Sequence, residues 1–540
     1  MKNVLRPFCV AILGISILFT SCADDGMDGV DGVDGVDGVD GVDGVDGADG
    51  ADGEDGADGM DAEFPITIDQ LSFSKIGTFT NGNDEAFAEI SAFDAATNKL
   101  FIVNPEENEV SVLDLTDASN PVKGTSIALA GNPNSVAVHN GVLAVAVENM
   151  DKQADGTIET YATDTQSLLV SYPAGALPDM VAFSPDGEYI VSANEGEPND
   201  DYTVDPEGSI TIVEVATETV TQVYFTGQTD PGNGFRVFGN NGMSTFVQDI
   251  EPEYVAISDD SATAYISLQE NNGMAIVDLA SKTITGLVGL GTKNHNVSGN
   301  EIDASNDDGI PGNLQNWNVL GFYMPDAIDY FTANGNGYVV SANEGDARDY
   351  DGYSEEVRVK DLDLDPAFYP DFDMLQEDEN LGRLKTTTAN GDEDNDGLYE
   401  QIYAYGARSF SIWDANGQLV YDSGSEIARR TLALAPSIFN QDEGEVDERS
   451  DDKGAEPEAV VTLKVGDETL LFVGLERTSG ILAYNITNPF NPVFVTWIYD
   501  GTDISPEGII VVDKDDSPTG NYLMIATHEV SSTIAIYELK

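Results

Sequence analysis

The chain has little cysteine, little histidine and little positive charge. Its two cysteines are Cys9 and Cys22. Both lie near the N-terminus, so no disulfide staples the body and stability there rests on burial, with bound metal as a possible aid. The three histidines are His139, His295 and His528. His139 precedes an Asn-Gly turn, and only His528, beside Glu529, is placed as a metal-ligand candidate. Against 98 acidic residues stand 23 Lys plus Arg, a formal charge of −75. Nucleic acid is excluded as a partner, since phosphate binding needs clustered cations. Direct adsorption to an anionic bilayer is disfavoured for the same reason. Also missing are a nucleophile elbow, a Walker loop, a dinucleotide fingerprint and HExxH. Cations are the natural partners of such a chain.

Hydrophobic residues make up 41% of the chain, enough for a packed core. They are arranged as a repeat. Leu177 to Glu197 reads LPDMVAFSPDGEYIVSANEGE: an apolar run, a Pro-Asp-Gly turn and a second run, the signature of a hairpin. Asp179 opens the first strand and Glu195 closes the second. The pattern returns after Pro252-Glu253, Pro325-Asp326, Pro457-Glu458 and Pro506-Glu507, and more weakly after Pro133-Asn134 and Ala88-Glu89. That makes seven hairpins. After most of them come two further strand-like runs, such as Ser209 to Val215 and Val220 to Phe225. Four strands per unit, at the ~40–45-residue spacing of a blade, predict an all-β, seven-bladed β-propeller over residues 63–540. The last unit has three strands, Gly508 to Val512, Tyr522 to Thr527 and Thr533 to Leu539. An unpaired run at Ile66 to Phe79 is expected to supply the fourth and close the ring.

The longer units carry their extra residues at particular joints. Residues 227–249, 291–323 and 425–456 lie between one unit's outer strand and the next unit's inner strand. Residues 194–208 and 343–405 lie between second and third strands. Because neighbouring strands alternate in direction, all five insertions fall on one face of the wheel. The carboxylates that open inner strands (Asp179, Glu253, Asp326, Glu458, Glu507) and close second strands (Glu148, Glu195, Glu270, Glu344, Glu476, Glu529) fall there too, near the axis. Long loops on one rim of a rigid scaffold are where binding or chemistry usually sits. Two carboxylates ~5 Å apart at an effective dielectric of 20 repel by about 3 kcal/mol, so the ring needs protonation, cations or basic side chains. Arg348, Arg358, Arg383, Arg408, Arg449, Lys453 and Arg477 all fall in these loops. They can balance charge at a wet channel mouth, or flank a hard-oxygen metal site as a grip for phosphate. A separate calcium candidate is Asp392, Asp394 and Asp396 with Gly397 and Glu400. Its twelfth position is Tyr403, so it departs from the EF-hand pattern. Asp303 to Gly309 is a weaker acidic loop of the same kind.

Residues 1–21 read as a targeting segment, with Lys2 and Arg6 ahead of an apolar stretch from Phe8 to Phe19 that is too short to span a bilayer. Leu18-Phe19-Thr20-Ser21-Cys22 resembles a bacterial lipobox, which implies lipidation of Cys22; an ordinary secretory signal is the alternative. Asp24 and Asp25 follow, and resemble the surface-export signal of Bacteroidetes lipoproteins. This implies a Gram-negative outer-membrane, cell-surface location, with the lipid anchor as the contact with membrane. In the 22–62 segment, Gly recurs every third residue from Gly26 to Gly59, as in collagen. Without proline or cations it reads either as a trimerising stalk through residues 26–59 or as a self-repelling spacer. Either form at ~3.1 Å per residue reaches roughly 105 Å.

Several long motifs, LPDMVAFSPDGEYIVSANEGEPNDDYTVDPEGSI, SANEGDARDY, GARSFSIWD, DERSDDKGAEPEAV and the SPEG…DSPTG…ATHEVSSTIAIYEL ending, resemble the choice-of-anchor I family. They are also similar to the animal mesenchyme-specific cell surface glycoprotein. The likeness covers nearly all of residues 70–540. Ala455 stands where the family's KGPEPE motif has proline. The resemblance implies a propeller held at the cell surface, and some members carry an alkaline-phosphatase label. Three readings follow. One is a surface propeller that binds a ligand or partner with a divalent cation, calcium. Another is a metal-dependent phosphoric-ester hydrolase, with Glu195, Glu344 and Glu458 holding metal and Arg348, Arg449 and Lys453 gripping phosphate. A spacer-and-head adhesin trimerised through the glycine tract is a third.

Overall fold

The computed structural model describes residues 67–81, 89–442 and 444–540. The targeting segment, Cys22 and the glycine tract with its proposed trimer lie outside the described residues. The remainder, from Phe64 to Lys540, forms one compact unit.

The fold is a β-propeller. Its inner strands are Ser91–Asp94, Asn132–His139, Pro178–Phe183, Val255–Ile257, Ile328–Ala333, Pro457–Val465 and Pro506–Val512. Each belongs to its own antiparallel sheet, with the later strands of that sheet stepping outward. In the first sheet the outer position is shared by two short strands, Val122–Lys123 and Ile127–Ala128. Each inner strand lies against the inner strands of the sheets before and after it, and Pro506–Val512 lies against Ser91–Asp94, so the run of sheets closes on itself. Apolar residues of the second and third strands fill the spaces between sheets. Val340, Phe410, Leu471 and Tyr484 pack across one such interface, and Phe472, Ala483, Met524 and Tyr537 across the next.

The closing strand comes from the N-terminal end. Phe73–Thr80 pairs antiparallel with Thr533–Leu539, from Phe73 opposite Leu539 to Thr80 opposite Thr533. Ser72 and Lys540 exchange backbone hydrogen bonds at the end of this ladder. Lys75 reaches Asp500 and Asp503, both at 2.6 Å.

The repeated Pro-acid motif has a shared geometry. Leu177, Met324, Glu456 and Ser505 all have left-handed φ, between 46° and 61°; each immediately precedes a proline, which begins the inner strand at Pro178, Pro457 and Pro506 and stands three residues before it at Pro325. This conformation is uncommon for non-glycine residues. In three of these sheets the register then slips, between Pro178 and Val181, Pro457 and Val460, and Pro506 and Ile509. The acid after the proline sits in each bulge, and a bulge re-aims a side chain at the strand end. The amides of Glu195, Glu476 and Glu529 donate to the carbonyls of Leu177, Glu456 and Ser505, each at 2.9 Å. Thus one local device sets both carboxylates of a hairpin.

The insertions are more than loops. Residues 291–323 and 355–405 build a cap with its own core, where Ile302, Val319, Val359, Leu381 and Ile402 are buried together. A small sheet joins Thr292–Asn294, Leu320–Phe322 and Tyr403–Ala404, the last pair parallel. The neck of the 343–405 insertion is tight. A Cβ on Gly406 would stand 1.8 Å from the Glu344 carbonyl oxygen, and one on Gly345 would stand 2.1 Å from the Gly406 nitrogen. Glu426–Leu434 is the one longer helix among the described residues. No helix described is long and apolar enough to cross a membrane.

Candidate functional site: an acidic axial pocket

A cavity of about 310 Å3 opens at the axis, lined by the strand-end acids Glu89, Glu148, Asp179, Glu195, Asp326, Glu458 and Glu507. Of the eleven acids expected at one channel mouth, Glu148, Asp179, Glu195, Asp326, Glu458 and Glu507 line this cavity, and Glu89 joins them. Burial raises their pKa values, and mutual repulsion adds to it. Asp179 and Glu507 are pushed to about 7 and Glu89 to about 8. Glu195, Asp326 and Glu458 are pushed well above the usual carboxylate range.

Within and beside this ring the acids separate into two sets. In the first, Glu195, Glu253 and Glu270 bring one oxygen each within 4.8 Å of the others. Glu270 is only 6% exposed, and its Oε2 has no hydrogen-bond partner; Glu253 Oε2 is likewise buried without one. Among the described residues no Lys or Arg forms an ion pair with these three. Glu270 is raised to about 7 by desolvation first and then by Asp346, while Arg348 pulls against the shift. An oxygen-to-oxygen span of this size suits a cation with ligand distances of ~2.3–2.6 Å, the range of calcium.

In the second set, Glu344, Glu456 and Glu476 are equally close, but the protein supplies the counter-charge. Lys453 is 2.6 Å from Glu344 and 3.7 Å from Glu456. Arg449 pairs with Glu456 at 2.6 Å, and Arg477 pairs with Glu476 at 3.0 Å. Glu456 is fully buried and receives three cations. Sequence reasoning missed it, although its place just before Pro457 in the repeated motif was a usable signal.

The expected site residues therefore distribute as follows. Glu195 and Glu344 fall in different sets, and Glu458 stands apart from both beside Glu507, with its own buried, unpartnered Oε2. Arg348 does not face the pocket as a free cation. It is 1% exposed and holds Asp249 and Glu251, with Glu251 Oε2 at 2.7 Å. Its guanidinium also lies 4.8 Å from the ring centre of Phe238, whose ring takes Arg236 at 4.1 Å. Arg236 in turn pairs with Glu355. This network braces the cap. Arg449 and Lys453 are engaged with their own acids.

In the separate loop, Asp392, Asp394 and Glu400 converge within 4.8 Å, while Asp396 turns its Oδ1 to the Leu398 amide at 2.9 Å. Asp303 accepts from the Gly312 and Asn313 amides, both at 2.8 Å, and so shapes a turn. His528 is buried, its Nδ1 has no partner, and burial lowers its pKa to about 4.

Fold and pocket together define a β-propeller with an acid-lined axis and a capped face. A family model for the choice-of-anchor I domain matches residues 89–489, and the chain belongs to that family. Gigasin-3a of Magallana gigas is 29% identical over 191 residues, covering 31% of this chain and 67% of that protein. The mesenchyme-specific cell surface glycoprotein of Strongylocentrotus purpuratus is 30% identical over 342 residues, covering 56% of this chain. The chain spans 42% of that glycoprotein's length. The WD40 domain of Toxoplasma gondii coronin superposes with a TM-score of 0.47 at 8% identity, covering 88% of this chain and 87% of that one.

Proposed function

We propose that this protein is a surface-displayed, seven-bladed propeller whose axial pocket takes a divalent cation and whose capped face binds a ligand or partner. Display at the surface follows the family and the cell-surface glycoprotein relative; the lipid anchor at Cys22 in an outer membrane is part of the same reading. The blade count rests on the cycle of inner strands. The observation that carries the cation is the first acid set: Glu195, Glu253 and Glu270, mutually close, with no Lys or Arg ion pair among the described residues, and with Glu270 buried and one oxygen unpartnered. An uncompensated buried carboxylate costs several kcal/mol unless it is protonated or paired. Calcium, which takes oxygen ligands in flexible geometry, fits this set better than magnesium, which demands a near-ideal octahedron. The Asp392–Asp394–Glu400 loop is a second, more exposed place for the same ion.

Calorimetric titration of calcium into chelator-treated protein tests this. Wild type is expected to bind, and Glu270→Gln to bind at least about tenfold more weakly, as loss of one charged ligand from three implies. The variant is also expected to melt at a higher temperature than wild type when both are metal-free, because one repelling charge is gone. Undiminished binding in both Glu270→Gln and Glu253→Gln would remove the site.

The phosphoric-ester hydrolase remains the alternative. The pairing of Arg348, Arg449 and Lys453 with buried acids takes up the three cations assigned to its phosphate grip. Chelator-sensitive turnover of an aryl phosphate, lost in Glu344→Gln, would reinstate it.

A further inference from the structure

A second cavity, of about 560 Å3, lies away from the acidic axis. It sits between the outer parts of two neighbouring sheets, at Leu290–Thr292 and Gly417–Leu419, and under the cap residues Asn390 and Tyr403. Its size is within the ~300–1,000 Å3 range of small-molecule sites. In a chain with 98 acidic and 23 basic residues, none of its lining residues carries a charge.

Its polar side chains are three amides, the Thr292 hydroxyl, the phenols of Tyr323 and Tyr403, and the Trp413 indole, which donates to Ser341; two of the amides are oriented from behind. Asn233 Nδ2 donates to the Gly289 carbonyl at 2.7 Å, which leaves its Oδ1 as an acceptor. Asn390 Oδ1 accepts from Arg236 Nε at 3.2 Å, which leaves its Nδ2 as a donor. Gln418 is exposed, and its side chain has no hydrogen-bond partner among the described residues. Tyr403, half-buried, lies flat on Phe322 with ring centroids 4.8 Å apart and planes 11° apart. The cleft therefore offers one fixed acceptor, one fixed donor, one adaptable amide and an aromatic ring held by a second ring.

The chemistry of these groups selects a ligand class. Phosphate or carboxylate ligands would meet no cation, and ammonium ligands no anion. A purely apolar ligand would leave the amides buried without partners, at a cost of about 1–3 kcal/mol each. A hydroxyl both donates and accepts, so a ligand carrying several hydroxyls can serve both the Asn233 acceptor and the Asn390 donor. A pyranose also carries an apolar C–H face for an aromatic ring. We infer that the cleft between these two sheets, bounded by Asn233, Asn390, Tyr403 and Gln418, is a binding site for a neutral sugar of one or two pyranose units.

Saturation-transfer NMR on the intact propeller tests this independently of the axial cation. The probes are glucose, galactose, mannose, N-acetylglucosamine and their β1,4-linked disaccharides, with glucuronate and N-acetylneuraminate as charged controls. At least one neutral sugar is expected to receive saturation, unchanged by chelator. Gln418→Ala, at an exposed side chain without hydrogen bonds, is expected to weaken it about threefold, and Tyr403→Ala about tenfold. A melting curve checks the fold of each variant. No transfer to any neutral probe, a preference for the charged controls, or equal transfer in a folded Gln418→Ala protein would each overturn the inference.

Discussion

Arg348 shows how a side chain can be misjudged from sequence. Its neighbours in the chain place it in a long acidic loop near the channel, where a phosphate grip is a reasonable expectation. Its actual partners, Asp249 and Glu251, are 99 and 97 residues away. Pairing over such separations depends on how two insertions fold against each other, and no local pattern announces it. Removing the guanidinium leaves two carboxylates buried without compensation. Arg348→Ala is therefore expected to lower stability by about 3–5 kcal/mol, read as a shift in the denaturant midpoint at unchanged slope. A loss under 1 kcal/mol would mean that the cap tolerates the unpaired acids. Glu195 illustrates the opposite case. Its place after the second strand of a hairpin was enough to put it at the axis, because strand direction alone decides which end faces the loops.

At the scale of the element, the Pro-acid hairpin was legible because it is local. Turn residues, alternation and the position of the carboxylate all lie within about twenty residues. What the pattern could not display is the left-handed residue before the proline or the bulge after it, since both are backbone features that several residue types accommodate. The insertions were legible in position but not in content. Their apolar residues are spread over more than a hundred positions, and only in the folded chain do Ile302 and Ile402 share a core. The strand that closes the last sheet gives a direct test. A chain beginning at residue 82 lacks Phe73–Thr80 and exposes the edge of Thr533–Leu539. It is expected to melt at a lower temperature and to self-associate, as bare strand edges do. Sedimentation and thermal melting check both; a monomer with unchanged melting would show the strand to be dispensable.

At the scale of the whole molecule, the acid ring makes stability depend on pH. Glu89 and Glu476 have pKa values near 8, and Asp179, Glu270 and Glu507 near 7, all raised above their unfolded values. The folded state thus holds more protons, and this contribution is complete below pH ~4 and lost as pH rises through 7 to 8. His295 and His528 work the other way, with pKa values lowered to about 3 and about 4. Their contribution is lost as pH falls, and is fully present above the ordinary histidine value of ~6.5. Between pH 6.5 and 8.5 only the acids act. Metal-free protein is expected to lose at least about 2 kcal/mol over that window, one raised group's worth, and saturating calcium is expected to flatten the decline. Denaturant melts in chelator and in calcium measure both slopes. A metal-free protein with constant stability across the window would show that the acids are relieved by other means.

The ladder between Phe73–Thr80 and Thr533–Leu539 has a mechanical consequence. Tension applied at the N-terminal end and directed along the first strand loads its hydrogen bonds side by side, in shear, rather than one after another as in a zipper. The clasp that completes the wheel is thereby also the part through which a pull on the N-terminal side reaches the rest. It is made from the two ends of the propeller, so it can fasten only once the last strand has emerged.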